Sequence, residues 1–139
     1  MEQLENMRQW LQAFPLWGQT QIHLDSLPLL PGNAGLYPMG IEVLERKTNL
    51  LGTVSLRCRQ KFELQKTVCP DQEQAAWLLQ LQQWILEQSA AGTAPRFGDV
   101  PEGEHIRGEK GRLKEMTAAG TAVYAVTITA EYIIIMEEK

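Results

Sequence analysis

The sequence predicts a single α+β domain over residues 1–139, a mainly antiparallel sheet with an N-terminal helix and one long central helix packed on it. Three observations predict it. Apolar and polar residues alternate from Thr53 to Gln65 and again from Val123 to Met136, the period of strands with one dry face. Between those stretches Trp77, Leu78, Leu81, Trp84, Ile85 and Gln88 recur at helical spacing. A chain of 139 residues, 44% hydrophobic and 22% charged, suits one globular core and excludes wholesale disorder.

At the N-terminus Leu4, Met7, Trp10 or Leu11, and Phe14 mark one stripe of an amphipathic helix. Pro15 stops it, because proline lacks an N–H and restricts the residue before it. Thr20 to Leu27 alternates Ile22, Leu24 and Ser26 with Gln21, His23 and Asp25, which predicts a first strand. The next stretch, PLLPGNAGLYPMG, is dense in Pro, Gly and Asn and predicts a loop without regular structure. Yet Leu29, Leu30, Leu36, Tyr37 and Met39 are large and apolar, so the loop should pack on its own core or on a neighbouring subunit.

Gly40–Lys47 and Thr53–Val68 read as two strands joined by a turn around Thr48–Gly52. In the second, Val54, Leu56, Cys58, Phe62 and Leu64 share the dry face, with only Gln60 out of pattern. Thr53, Ser55, Arg57, Arg59, Lys61, Glu63 and Gln65 share the wet one. Asp71 with Gln74 three positions on resembles a capping box and opens the central helix, and Gly92 closes it. Gly92 to Gly111 is loop-like, Arg112–Thr117 a short strand and Ala118–Thr121 a turn. The last strand sets Tyr124, Val126, Ile128, Ala130, Tyr132 and Ile134 on one face, with Thr127, Thr129 and Glu131 on the other.

The balance of 13 basic against 17 acidic residues, a formal charge of −4, gives no electrostatic reason to expect nucleic acid or an anionic membrane. The opening MEQLENMRQW lacks the basic stretch and apolar core of a signal peptide. The apolar run Ile133–Met136 falls far short of the ~20 residues a membrane helix needs. Cys58 and Cys69, 11 residues apart, fit neither a disulfide framework nor a zinc spacing, so an intracellular protein with reduced thiols is expected.

No residue set carries a catalytic signature. His23 lies two residues from Asp25, but no nucleophile with a recognisable motif accompanies the pair. Cys58 belongs to a dry strand face, and Cys69, just before the central helix, has no histidine near it in sequence. His105 sits among Glu102, Glu104 and Glu109, which reads more simply as a solvated loop than as a metal site. Gly108–Gly111 is a G-x-x-G of the kind that clamps nucleic-acid backbone in KH domains, here with Glu109 inside it. Arg57, Arg59 and Lys61 make a basic row that either meets an acidic partner or is a solvated face balanced by Glu63 and Glu42. Trp77 and Trp84 read first as core anchors. Two alternatives to a structural role follow: an enzyme using Cys69 or His23 in a cleft between subunits, and a nucleic-acid-binding module at the GEKG segment.

The strings LPLLPGNAGLYPMGIEVLERKTNLLGTVSLRCRQKFELQ, DQEQAAWLLQLQQWILEQSAAGTAPRFGDVP and YAVTITAEY resemble a family of small minor capsid or tail proteins from tailed phages and prophages of gut Firmicutes. The resemblance covers most of the chain from about Leu27, and RFGDVP after an amphipathic helix is its most distinctive motif. Some relatives are labelled chloramphenicol resistance proteins, but no acetyltransferase-like histidine motif or acyl-CoA loop is visible here. The element order also resembles siphophage tail terminators, which form a hexameric ring on the tail tube, stop its growth and face the neck. The resemblance implies a non-enzymatic subunit without cofactors or metal. Its partners would be copies of itself, the tail tube and neck proteins, with no membrane and no nucleic acid. The expected contacts are Leu29, Leu30, Leu36, Tyr37 and Met39, with Arg57, Arg59 and Lys61 as a charged ring surface or lumen.

Overall fold

Residues of period two and residues of period 3.6 form two separate layers in the computed structural model, which describes residues 2–15, 20–28, 32–68, 75–118 and 120–137. The strands are β1 (Gln21–Leu24), β2 (Asn33–Thr48), β3 (Thr53–Val68), β4 (His105–Met116) and β5 (Ala122–Glu137). They make one sheet in the order β1-β2-β3-β5-β4, with β1 parallel to β2 and every other pair antiparallel. The helices are α1 (Glu2–Gln12) and α2 (Ala75–Ala91), and a single 3-10 turn, Pro101–Gly103, precedes β4. The molecule is thus mixed α and β, with a mostly antiparallel sheet and two helices, one of them N-terminal.

Both helices bury their apolar stripes on the same sheet face. From α1, Leu4, Met7, Trp10 and Leu11 are buried, and Phe14 follows just past its end. From α2, Trp77, Leu78, Leu81 and Ile85 join Cys58, Phe62 and Leu64 of β3 and Val126, Ile128, Ala130 and Tyr132 of β5 in one core. The helices also meet each other. Trp10 stacks on Trp84 with centroids 5.1 Å apart, and the Trp10 Nε1–H donates to Gln88 Oε1 at 3.2 Å. Gly92 ends α2 at φ +76°, a conformation that glycine adopts without the Cβ penalty. The expected helix start at Asp71 and Gln74, and Cys69 with it, lies outside the described residues.

Three expectations are corrected. The segment read as a loop through Gly40 is regular from Asn33 onward, where β2 begins. Its breakers stand where a strand tolerates them. A Cβ on Gly35 would strike the Ser26 carbonyl oxygen, and Gly40, at φ +122°, takes up a bulge beside Pro38. Pro38 has no N–H to lose on the outer edge, because β1 pairs with β2 only as far as Leu36. The second correction concerns β4, which begins at His105 and not at Arg112. Gly108 and Gly111 let α2 close on it: a Cβ at Gly108 would sit 3.2 Å from Ile85 Cδ1, and one at Gly111 would sit 3.4 Å from Leu78 Cβ. The G-x-x-G is therefore a bulged strand, with Lys110 at φ +58°, and not a clamp between helices. β1 is also shorter than read, since the chain turns at Asp25, φ +55°.

The RFGDVP motif is a strap that continues the sheet beyond the start of β4. The Asp99 N–H donates to the Ile133 carbonyl at 2.7 Å, and its carboxylate accepts the Ile135 N–H at 2.8 Å. Phe97 lies between Phe62 and Tyr132, with centroid distances of 6.1 and 5.8 Å. Gly98 has no room for a side chain, since a Cβ there would lie 2.6 Å from the Ile133 carbonyl oxygen. The Glu104 carboxylate accepts the N–H groups of Phe97 and Gly98 and pins the strap from the other side.

Candidate functional site

The sheet face opposite the helices carries the charges, because alternation along β3, β4 and β5 sends every second side chain there. The register sets Arg59 across from Glu131, and Glu131 across from His105. Glu131 is only 5% exposed, so its carboxylate needs partners. It accepts from Arg107 at 2.8 Å and from Arg57 at 3.3 Å, with Arg59 at 3.7 Å and His105 Nε2 at 3.6 Å. Burial pushes the Glu131 pKa up, but the Arg107 hydrogen bond, the charges of His105 and Arg107 and the Arg57 hydrogen bond outweigh it and hold the carboxyl below its ordinary range. Glu109, bonded by the Thr129 hydroxyl at 2.9 Å and next to Arg107, is lowered as well.

A second carboxylate, Glu63, binds Arg112 at 2.9 Å and Lys114 at 3.0 Å. Its pKa is raised by burial and lowered further by hydrogen bonds from Gln65, Lys114 and Arg112, so it too stays below the ordinary value. The basic row read from β3 is therefore largely balanced at Arg57 and Arg59. Arg59 stands 3.5 Å from Glu42 as well, and among the described residues its buried Nε has no hydrogen-bond partner.

The second feature is a hairpin arm. The α1 layer reaches Gln60, which donates to Gln3 at 3.4 Å, and among the described residues no strand pairs with the outer edge of β2 beyond Leu36. Residues 38 to 51 of the arm are consequently exposed, with Ile41 at 57% and Val43 at 55% although both are apolar. The turn is built and not slack. Asn49 Oδ1 accepts the N–H groups of Leu51 and Thr53 at 2.9 and 3.0 Å, Gly52 sits at φ +82°, and the tip presents Leu50 and Leu51 to solvent.

Against the expected contact residues the placement is mixed. Leu29 and Leu30 lie outside the described residues. Leu36 is wholly buried in the chain's own core and offers no partner surface, a correction that follows from β2 being a strand. Tyr37 is half-buried, and burial raises its phenol pKa, aided by Asp25 and Glu63. Met39 is exposed and lines a shallow depression with Gly40, Ile41, Glu42, Arg59 and Lys61, so one apolar and two basic expected residues do come together. Glu131, Arg107 and His105 were not among the expected site residues. The signal was present: Glu131 is the one acid in a β-branched run, on the same face parity as Thr127 and Thr129.

His23 hydrogen-bonds Asn33 at 2.9 Å and is not oriented by Asp25. Cys58 is buried, with its thiol pushed up by burial. Among the described residues no three His, Cys, Asp or Glu side chains gather as a metal site would require, and no helix is long and apolar enough to cross a membrane. No protein-family model matches the chain, and no curated protein matches it either.

Proposed function

We propose that this chain is a non-enzymatic structural subunit of a tailed phage or prophage, a tail terminator or head–tail connector that caps the tail tube and joins it to the neck. The observation that carries the reading is the hairpin arm, which holds Leu50 and Leu51 on an ordered turn in full contact with water. Isolated apolar residues on a surface are ordinary, but Met39, Ile41, Val43, Leu50 and Leu51 exposed together on one hydrogen-bonded hairpin are what a docking protein displays. The sequence resemblance supplies the identity of the partners: copies of the same chain in a ring, the tail tube and the neck. Such a subunit would be made in the bacterial cytoplasm and end in the virion tail. The charged outer face, with Arg57, Arg59 and Lys61, is the surface a ring would turn toward its lumen or its neighbour.

The test is genetic and visual. Electron microscopy of particles from a prophage carrying Leu50→Ser with Leu51→Ser is expected to show tails of irregular length or tails detached from heads. The tip is fully exposed, so the purified variant should keep the parent's thermal midpoint. Normal virions from a strain deleted for the whole gene would overturn the reading.

A further inference from the structure

The outer edge of β2 is long, partly apolar and charged in a particular order. From Pro38 to Thr48 its backbone pairs with β3 on one side and, among the described residues, with no strand on the other. Met39, Ile41, Val43 and Leu44 are exposed along it. Unpaired edges of this kind invite another strand, and proteins normally block them or use them. The charges run acid first and base second: Glu42 and Glu45, then Arg46 and Lys47. A parallel copy would oppose acid to acid. An antiparallel copy opposes acid to base.

From this order and the free edge we infer that two copies of the chain pair antiparallel through β2, about a two-fold axis between Leu44 and Glu45. The register follows from the faces already fixed by β3. Glu42, Glu45 and Lys47 lie across from Arg59, Arg57 and Ser55 on the outer face, whereas Ile41, Val43 and Arg46 lie across from Gln60, Cys58 and Leu56 on the helix side, with Leu44 in the bulge between. Only side chains on one face can oppose each other across a ladder. Glu42 then meets Lys47 of the second copy, and Val43 meets its Arg46. Ile41 meets Thr48 in the same way. Glu42 and Lys47 are free to do so: Glu42 is held only loosely, at 3.5 Å from Arg59, and Lys47 contacts Glu45 at the solvent surface. The opposite sheet edge is a poorer partner, because Arg112 and Lys114 of β4 are already bound to Glu63. A two-fold pairing also closes on itself, which spends the edge and prevents open-ended sheet growth. This inference does not rest on the phage reading, since a head-to-tail ring would use a different contact.

Sedimentation velocity on the full chain tests it. The parent is expected to form a dimer. Glu42→Lys and Lys47→Glu should each weaken association by roughly tenfold or more, since each places two like-charged pairs across the ladder. The double variant should recover the parent affinity, and an equimolar mixture of the two single variants should form heterodimers. Amide hydrogen exchange of the parent offers a check that needs no variant: protection gained on concentrating the protein should fall within residues 38–48. A parent that stays monomeric throughout overturns the inference. So does a dimer, or a larger ring, that ignores both charge reversals or gains its protection elsewhere.

Discussion

Glu131→Ala is expected to lower the unfolding free energy by about 2–3 kcal/mol at neutral pH and to flatten part of the acid limb of the stability curve. Removing one partner of a buried ion pair typically costs ~3–5 kcal/mol, because the remaining charge is left buried and unpaired. The figure here is smaller, since the Arg57 and Arg107 side chains are 52% and 37% exposed and can recover water. The pH dependence follows from the direction of the shift. Glu131 titrates lower in the folded chain than its ordinary 4.5, so its stabilisation is complete above that value and is lost as pH falls through the folded pKa. Glu63 and Glu109 are lowered too and will keep part of the acid limb in the variant. Urea unfolding of parent and variant between about pH 3 and pH 7 separates the contributions. A variant as stable as the parent at neutral pH, with an unchanged acid limb, would show that the cluster holds nothing together.

The β2–β3 hairpin illustrates how much of this molecule was legible in the sequence. Its second strand was readable because each face had one chemistry: Val54, Cys58, Phe62 and Leu64 are buried, and Arg57, Arg59, Lys61 and Glu63 reach the outer face as alternation requires. Even Gln60, the residue out of pattern, has a reason to be inside, for it accepts the Tyr132 hydroxyl at 2.9 Å. The first half of β2 was not readable. Gly35 and Gly40 signal a loop by local propensity, and only the Ser26 carbonyl and the bulge explain why a strand needs them. The glycines of β4 misled for the same reason: what they accommodate is α2, and proximity of distant segments leaves no local mark. The outer-face site was half visible. The arginine row showed in β3, but Glu131 and Arg107 acquire their meaning only when β5 falls between β3 and β4.

The largest loss of stability is expected from Phe62→Ala, about 3–5 kcal/mol for removing a fully buried ring from the centre of the sheet, against a typical total of ~5–15 kcal/mol. Phe62 sits between Pro38 of β2 and Ile128 of β5, so its ring seals the core where the central strands meet. It also holds the strap, because Phe97 rests against it and against Tyr132. The loss should therefore be uneven. Amide exchange should accelerate at Asp99 and Ile135, whose N–H groups tie the strap to β5, before it does so in α1. Phe97→Ala removes only a half-buried ring and should cost less. If the two rings act as a unit, the double variant will cost less than the sum of the singles by roughly 0.5–1.5 kcal/mol, the coupling usual for an aromatic pair. Strict additivity would mean instead that the strap is held by its backbone bonds and by the Asp99 and Glu104 carboxylates alone. The distinctive RFGDVP sequence would then owe its shape to Gly98, whose close approach to Ile133 admits no side chain, and to Asp99, whose carboxylate accepts the Ile135 N–H.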